Sequence, residues 1–264
     1  MVFAPFTGVD NHKKSLTFGA GLVMKEDIAG YNWLFENFVK AMGHAPTIIV
    51  TDQDPAMKVS IKETLPNTRH RLCMWHIMEK VSVKVGAKKI NSKDFRKRLG
   101  RLVWDDNQTI EEFETGWNNF MEEEDLKEKG RKWFKDMYNL RKYWIPVYFK
   151  DIVLGGLVRT TSISESQNSF FGSYINRDFS LVELIMHFES AMETQRHKQL
   201  RNDYDSNTRS HELTTRLAIE KHASEVYTLN VFSIIQEEIE SACFFCILTP
   251  LKPGIGFISN ILVC

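Results

Sequence analysis

The sequence has few cysteines, and they are unevenly placed. There are four, of which Cys243, Cys246 and Cys264 lie near the C-terminus and Cys73 stands alone in the N-terminal half. A secreted disulfide framework would distribute paired cysteines through a short chain. The pattern therefore favours a protein of a reducing compartment.

An excess of charge of either sign is also absent. Lysine plus arginine and aspartate plus glutamate each number 34, so the formal net charge is zero. Non-specific DNA affinity comes largely from phosphate neutralisation, so overall charge gives this chain no strong hold on DNA. Hydrophobic residues make up 43% of the chain, which is enough for a folded core and excludes extensive disorder.

No long apolar run is uninterrupted. Residues 242–264 carry one charge, at Lys252, but two prolines and two glycines divide them. These residues suit neither a membrane-spanning helix nor a regular strand, so we expect no membrane contact. We assign residues 247–264 to a divergent tail.

The first 80 residues predict alternating strands and helices. The helices are expected to begin at Asp27 and Asp54, and Gly43 is expected to end the first. Four segments have the composition of strands, namely 2–9, 15–24, 47–51 and 68–74. This order predicts an α/β fold, with a mixed sheet and helices on its faces.

After these elements the sequence predicts helices throughout. Residues 81–150 are charged and rich in tryptophan, which favours an all-helical insertion. Beyond it, Ser162 and Ser180 each open a capping box with a glutamate three residues on. Residues 202–212 are polar and predict a loop before a last helix at 213–239.

Asp52 stands at the C-terminal end of the predicted buried strand 47–51. Carboxylates at such strand ends face the crevice where α/β proteins bind ligands, and converging carboxylates can hold the Mg²⁺ ions that cleave a phosphodiester. Alternatively, Asp52 and Asp54 only cap the following helix, since aspartate is a preferred N-cap residue. Both interpretations can hold together if Asp54 caps the helix and the carboxylate of Asp52 stays free for a ligand.

Cys73 and His76 stand three residues apart after the next predicted strand. They could form half of a zinc site, but a structural zinc needs four ligands and no second cysteine pair lies nearby. The alternative is a packed cysteine beside a hydrogen-bonded histidine near the crevice. Glu165 belongs to a capping box, and Asn168 makes the same helix face polar, which indicates a site.

Basic residues concentrate in one stretch, with Asp94 as the only acid among them. Such a stretch can contact phosphates even in a neutral chain, although solvated helix faces have the same composition. Both interpretations stay open for the candidates for DNA contact, which are Lys88, Lys89, Lys93, Arg96, Lys97, Arg98 and Arg101.

Four short motifs occur here in the order in which one known family carries them. They are FAPFTGV at 3–9, TDQD at 51–54, HRLCMWH at 70–76 and SISESQN at 162–168. Together they resemble the Mutator-like transposase domain, and more closely the far-red impaired response and far-red elongated hypocotyl proteins of plants. The resemblance covers about residues 1–246.

The resemblance implies an RNase H-like fold with a helical insertion before the last acidic residue of a three-carboxylate site. Asp52 matches the second carboxylate and Glu165 the third, while Cys73 and His76 match a signature near the site. The implied domains are the N-terminal part of the core at 1–80 and the helical insertion at 81–150. The C-terminal helical part of the core follows at 151–246, and the divergent tail at 247–264.

Departures from the family pattern predict a chain without catalytic activity. The first aspartate of the family lies on a strand upstream of the segment that matches residues 3–9, so we expect the first strand to be missing. Asp52 and Glu165 are then vestigial and hold Mg²⁺ weakly at most, whereas an intact relative would bind it. No cofactor is expected to bind tightly, and the zinc fingers of the family are expected to be absent here.

The resemblance further implies a nuclear protein that regulates DNA-templated transcription, as in the light signalling of the plant proteins. Expected partners are DNA, bound weakly by this chain alone, and a family member in a homo- or heterodimer through helices after Ser180. We expect no membrane and no small-molecule substrate. The alternatives are a metal-dependent transposase or nuclease core and a non-functional remnant.

Overall fold

The computed structural model describes residues 1–86, 92–105, 107–152, 169–176, 178–244, 247–248 and 262–263. The chain divides into two compact units. Unit 1 comprises Met1–Phe6 and Phe18–Ser169, and unit 2 comprises Thr7–Thr17 and Phe170–Cys264. Among the described residues, no helix combines the length and the apolar character that a membrane span requires.

The described strands pair in twos. β1 (Val2–Val9) forms a hairpin with β2 (Ser15–Val23), and β3 (Ile48–Thr51) pairs in parallel with β4 (Arg69–Leu72). A short antiparallel pair in the tail consists of β5 and β6, at Ile247–Leu248 and Leu262–Val263. The protein is therefore mixed α and β, mostly helical, with small sheets, which confirms the predicted α/β class.

The predicted single mixed sheet is not observed among the strands that the structure describes. Instead, the hairpin and the β3–β4 pair are separate sheets. The hairpin forms through a local turn, in which the Asp10 N–H donates to the Lys14 carbonyl at 2.9 Å. β3 and β4 pair through an intervening helical crossover, as parallel strands require.

The two helices that follow the hairpin begin at their predicted caps. Asp27 caps α1 (Ile28–Met42), and its Oδ1 accepts from the backbone N–H three residues on at 2.8 Å. Gly43 ends α1 with a φ of 81°, a value that favours glycine. Asp54 caps α2 (Pro55–Thr64) in the same way at 2.7 Å. These caps satisfy backbone donors that the first helical turn leaves unpaired.

A first hydrophobic core joins the hairpin, α1, β3 and α2. Phe6 of β1 stacks on Phe38 of α1 with ring centroids 3.9 Å apart, and Ile49 of β3 packs against the same core. Its buried members are Val23, Tyr31, Leu34, Phe35, Ile61 and Leu65. The hairpin and β3 therefore share a core although they do not share a sheet.

In the described residues between 73 and 152, four helices and two 3-10 turns follow β4. The helices are α3 (Met74–Val85), α4 (Lys93–Trp104), α5 (Ile110–Glu123) and α6 (Glu128–Asn139), and the turns are Arg141–Tyr143 and Pro146–Phe149. The helical character predicted for residues 81–150 is confirmed in their described part.

Trp117 lies at the centre of the aromatic core of these helices. The Trp144 indole N–H, which belongs to the same core, donates to the Met137 carbonyl at 2.9 Å, so a buried polar group is satisfied. Four ring centroids lie within 6.2 Å of that of Trp117, namely those of Phe113, Phe134, Tyr138 and Trp144. Leu72 and α3 contribute to this core, which connects it to β4.

In the described part of the chain from residue 169 onward, residues 169–174 are helical, and three longer helices follow. They are α7 (Leu181–Thr208), α8 (Ala218–Val226) and α9 (Leu229–Phe244). The capping box predicted at Ser180 is confirmed, since the Ser180 hydroxyl accepts from Glu183 N–H and the Glu183 carboxylate accepts from Ser180 N–H. The box predicted at Ser162 lies outside the described residues.

The predicted loop at 202–212 is wrong as far as Thr208, because α7 continues through it. One of its polar residues holds the turn of the hairpin, since Asp203 Oδ1 lies 2.8 Å from Nε2 of the buried His12. Gln195, two turns earlier on α7, also contacts this turn and donates to the Ser15 carbonyl at 2.9 Å. The polar composition therefore reflects a packed polar surface rather than a loop.

The predicted last helix at 213–239 is also wrong, because it consists of α8 and α9. The break falls at Thr228, whose hydroxyl donates to the Asn11 carbonyl in the hairpin turn at 2.8 Å. This contact joins residues far apart in sequence, so the helical periodicity of the segment did not reveal it.

Glu220 of α8 is buried and accepts hydrogen bonds from the preceding loop. Oε1 accepts from Thr214 N–H at 2.8 Å and from Gln236 at 2.7 Å, and Oε2 accepts from Thr215 N–H at 2.7 Å and from the Thr215 hydroxyl. The pKa of Glu220 is lowered to about 2, chiefly by the hydrogen bond from the Thr215 hydroxyl, whereas burial raises it. The ionised carboxylate thus holds the loop against α8 and α9.

We predict that Glu220→Gln destabilises the fold at pH 7 but not in strong acid. Because the folded pKa of about 2 lies below the ordinary 4.5, ionised Glu220 stabilises the fold above that ordinary value. This contribution is lost as the pH falls through about 2. Urea midpoints of variant and wild type should therefore differ at neutral pH and converge in acid. Glu225→Gln, at an exposed position of α8, is the control and should retain the wild-type midpoint. Equal midpoints of Glu220→Gln and wild type at neutral pH would contradict the prediction.

Candidate functional site at the ends of two parallel strands

The carboxyl ends of β3 and β4 lie side by side. Their last register pair is Thr51 with Leu72, and Cys73 N–H donates to the Thr51 carbonyl at 2.6 Å beyond it. Asp52 therefore follows β3 beside the point where Cys73 follows β4 and starts α3. This is the edge at which α/β proteins place ligand-binding side chains.

Asp52 and Asp54 have different roles at this edge. Asp54 caps α2, which confirms that part of the capping interpretation. Asp52 is exposed, and its Oδ1 accepts from the Asp54 N–H at 3.0 Å in a turn that leads into the cap. Asp52 thus supports the turn while its carboxylate faces solvent.

Cys73 and His76 lie together at the start of α3. Cys73 is 3% exposed, and His76 stands in the first turn of the helix. A hydrogen bond with Cys73 is the largest cause that raises the pKa of His76, burial opposes it, and the charges of Cys73, Asp52 and Glu79 raise it further. The structure therefore brings Asp52, Cys73 and His76 to one strand-end site.

His70 and Arg71 belong to β4, the strand that ends at this site. His70 Nε2 lies 2.8 Å from the Thr51 hydroxyl, and burial, with the nearby Lys58, lowers the pKa of His70 to about 4. Arg71 is 3% exposed and stacks over Phe149 at 5.2 Å, and burial lowers the pKa of its guanidinium. Sequence reasoning did not single out Arg71, although it lies in the predicted strand 68–74 and in the HRLCMWH motif.

A negative region adjoins the site on the side of α1. Burial raises the pKa of Tyr31 to about 12, and the charges of Asp54, Glu26 and Asp52 raise it in the same direction. These carboxylates therefore lie close enough to the Tyr31 phenol to act on it. Within the described ranges, no three Asp, Glu, His or Cys residues are placed so that they could hold a metal ion. Glu165 and Asn168 lie outside those ranges.

The predicted basic stretch forms an exposed face of α4. Lys93, Arg96, Lys97 and Arg101 are exposed, whereas the opposite face packs into the aromatic core through Phe95, Leu99, Leu102 and Val103. Arg98 differs, because it forms ion pairs with Glu123 and, at 3.0 Å, with the buried Glu124. Lys88 and Lys89 lie outside the described residues.

We predict that His70 and His76 titrate on opposite sides of the ordinary imidazole pKa of 6.5. His70 should have a pKa of about 4 and His76 a pKa above 6.5, for the physical reasons given above. NMR titration of the imidazole resonances, assigned with His70→Gln and His76→Gln, measures both. Cys73→Ala should lower the pKa of His76 and leave that of His70 unchanged. An unmoved pKa of His76 in that variant would show that the thiol is not its cause.

Comparison with known proteins agrees with the resemblance of the motifs. Residues 1–80 match the MULE transposase domain. Over 92% of its length the chain is 33% identical to FAR1-related sequence 5 of Arabidopsis thaliana, and over 89% it is 28% identical to far-red impaired response 1 of the same plant. It spans 30% and 28% of these two proteins, or about a third of their length. The chain therefore carries a MULE transposase domain and is homologous, over most of its length, to the FAR1-related and far-red impaired response proteins.

Proposed function

We propose that the chain belongs to a transposase-derived nuclear protein that binds DNA and regulates transcription without cutting DNA. The observation that carries this proposal is the homology to proteins named FAR1-related sequence and far-red impaired response 1, together with the MULE domain. A name that refers to an impaired response to far-red light supports a regulatory role for the relative. We extend that role to this chain, without a tightly bound cofactor or a small-molecule substrate.

The exposed face of α4 supports DNA contact. Lys93, Lys97 and Arg101 follow one another at intervals of four residues, and Arg96 adjoins them. None of the four forms an ion pair with any described residue, so their charge is available to a partner. From Lys93 to Arg101 the helix rises about 12 Å, the length of about three or four nucleotides of one strand. Contact through one face of a neutral chain implies weak binding by this chain alone.

The strand-end site supports binding without cleavage. Two-metal cleavage of a phosphodiester needs two or three converging carboxylates. At this edge the carboxylate of Asp54 is engaged in the cap of α2, which leaves Asp52 as the carboxylate that faces solvent. We propose that Asp52 and Glu165 are vestiges of a transposase site that hold Mg²⁺ weakly at most.

A metal-dependent transposase or nuclease core is the second candidate. Asp52 lies at the carboxyl end of a parallel strand pair, and the negative region around Tyr31 favours a cation nearby. Both observations suit an intact catalytic site as well as a vestigial one. The two candidates differ in whether DNA is cut, and experiment can separate them.

We predict that the triple variant Lys93→Ala/Lys97→Ala/Arg101→Ala weakens DNA binding and its dependence on salt. Each lost phosphate contact should reduce the slope of log affinity against log salt by about 0.9. Fluorescence anisotropy with a labelled duplex over a salt series measures this slope. The control, Lys129→Ala/Lys132→Ala/Lys135→Ala, removes the same charge from exposed positions of α6 and should retain the wild-type slope. Equal losses in both variants would reject a specific role for α4.

We predict that the chain does not nick supercoiled plasmid DNA in the presence of Mg²⁺ or Mn²⁺. Asp52→Asn should then bind DNA as the wild type does, because no catalytic metal is lost. Gel electrophoresis of the plasmid is the measurement. Metal-dependent nicking that disappears in Asp52→Asn would reject the proposal and establish the second candidate.

A further inference from the structure

Tyr143, in the first 3-10 turn after α6, differs from the tyrosines on either side of it. Tyr138 and Tyr148 pack against the aromatic core, and their hydroxyls donate to Glu114 at 3.3 and 3.0 Å. Tyr143 lies outside that core and is 38% exposed, and its hydroxyl bonds to no residue that the structure describes. The fold therefore leaves a large part of this ring at the surface.

Two side chains hold the Tyr143 ring in place. The Lys58 ammonium of α2 lies 4.3 Å from the ring centroid, and the His70 ring of β4 meets it edge-on at 6.4 Å, with planes 67° apart. Both contacts are favourable for an aromatic ring. Because burial and the nearby Lys58 lower the pKa of His70 to about 4, His70 is uncharged at neutral pH. The ring thus has one cation over it and one neutral neighbour.

The surface around this ring is basic. Lys62 is exposed one turn after Lys58 on α2, about 6 Å further along the helix, and Lys142 is exposed beside Tyr143. Within the described part of the chain, none of the three lysines forms an ion pair. Tyr143 and these lysines are here called the tyrosine patch. Its charge and its ring together suit a ligand that carries both phosphates and flat rings.

We propose that the tyrosine patch binds an unpaired nucleotide of DNA, whose base stacks on Tyr143 while the three lysines contact the phosphates beside it. This proposal rests on the proposed function, in which DNA is the partner. Aromatic rings flanked by cations are the usual means by which proteins hold single-stranded nucleic acid. A lysine side chain is flexible, so Lys58 can turn from the ring to a phosphate when a base arrives.

The exposed ring favours an unpaired strand over a duplex. Inside a duplex each base is already stacked on its neighbours, so Tyr143 would find no free base face there. Contact with duplex phosphates would need the lysines alone and would give the ring no role. The patch therefore differs in function from the basic face of α4, which offers cations without an aromatic ring among them.

Fluorescence anisotropy of the full 264-residue chain, up to about 100 μM, with a labelled oligothymidine of about 12 nucleotides tests the proposal. We expect the single strand to bind. Tyr143→Leu should weaken this binding at least about fivefold, because it removes the stacking surface, whereas Tyr143→Phe should retain it. Lys58→Ala/Lys62→Ala should reduce the slope of log affinity against log salt by about 0.7 for each lost phosphate contact.

Two controls separate the patch from a general effect of substitution. Tyr227→Leu removes a tyrosine that is 45% exposed in unit 2, and Lys129→Ala/Lys132→Ala removes two exposed charges of α6. Both should retain the wild-type affinity for the single strand. Tyr143→Leu should also retain the wild-type affinity for a duplex and the wild-type urea midpoint, because a loss of stacking changes neither.

Single-strand binding that is unchanged in Tyr143→Leu would overturn the proposal. So would a chain that binds a duplex through α4 but does not bind oligothymidine, and the proposed function would then stand without this site. A chain that binds neither form of DNA would reject both proposals.

Cross-linking tests where the base lies. Oligothymidine that carries one 5-iodouracil reacts on irradiation with an aromatic side chain stacked on that base. Mass spectrometry of the digested chain should then find the adduct on Tyr143. Adducts on other residues alone would place the base elsewhere and reject the proposal.

Discussion

The parallel hydrogen bonding of β3 to β4 positions the candidate site. It places the end of Ile48–Thr51 beside the end of Arg69–Leu72, and the bond from Cys73 N–H to the Thr51 carbonyl extends the pairing by one residue. Asp52, Cys73 and His76 owe their proximity to this register. A shift of one residue would turn every side chain of β4 to the other face and separate the three groups.

Helix α3 connects this strand pair to the larger core. Met74, Ile77 and Val81 are buried against the aromatic cluster around Trp117, so the start of the helix is held firmly where the site lies. Rigid support of this kind keeps the Cys73–His76 contact in place. The aromatic core of the helices thus holds the start of α3 beside the ends of β3 and β4.

Although the chain is neutral overall, its charges are separated locally. The exposed face of α4 is basic, whereas the region around Tyr31 is acidic. Each surface therefore offers a partner different chemistry. A net charge of zero gives the whole chain no overall electrostatic attraction to DNA, but such local surfaces can still bind a charged partner.

The local features could be predicted from the sequence, because they depend on neighbouring residues. Asp27, Asp54 and Ser180 cap their helices as predicted, since each cap is completed within three residues. The strand positions and the basic face of α4 follow from residue type and period in the same way. The short motifs, which are also local, indicated the similarity to the MULE transposase domain and to the FAR1-related proteins.

Which of these elements meet depends on tertiary contacts, and the structure was needed to show them. It divided the strands into separate sheets, extended α7 through a polar segment that holds the hairpin turn, and assigned Arg98 to Glu123 and Glu124 rather than to solvent. It also buried Glu220 among donors from a loop and α9. Many of these contacts join residues far apart along the chain, and local periodicity carries no information about such pairs.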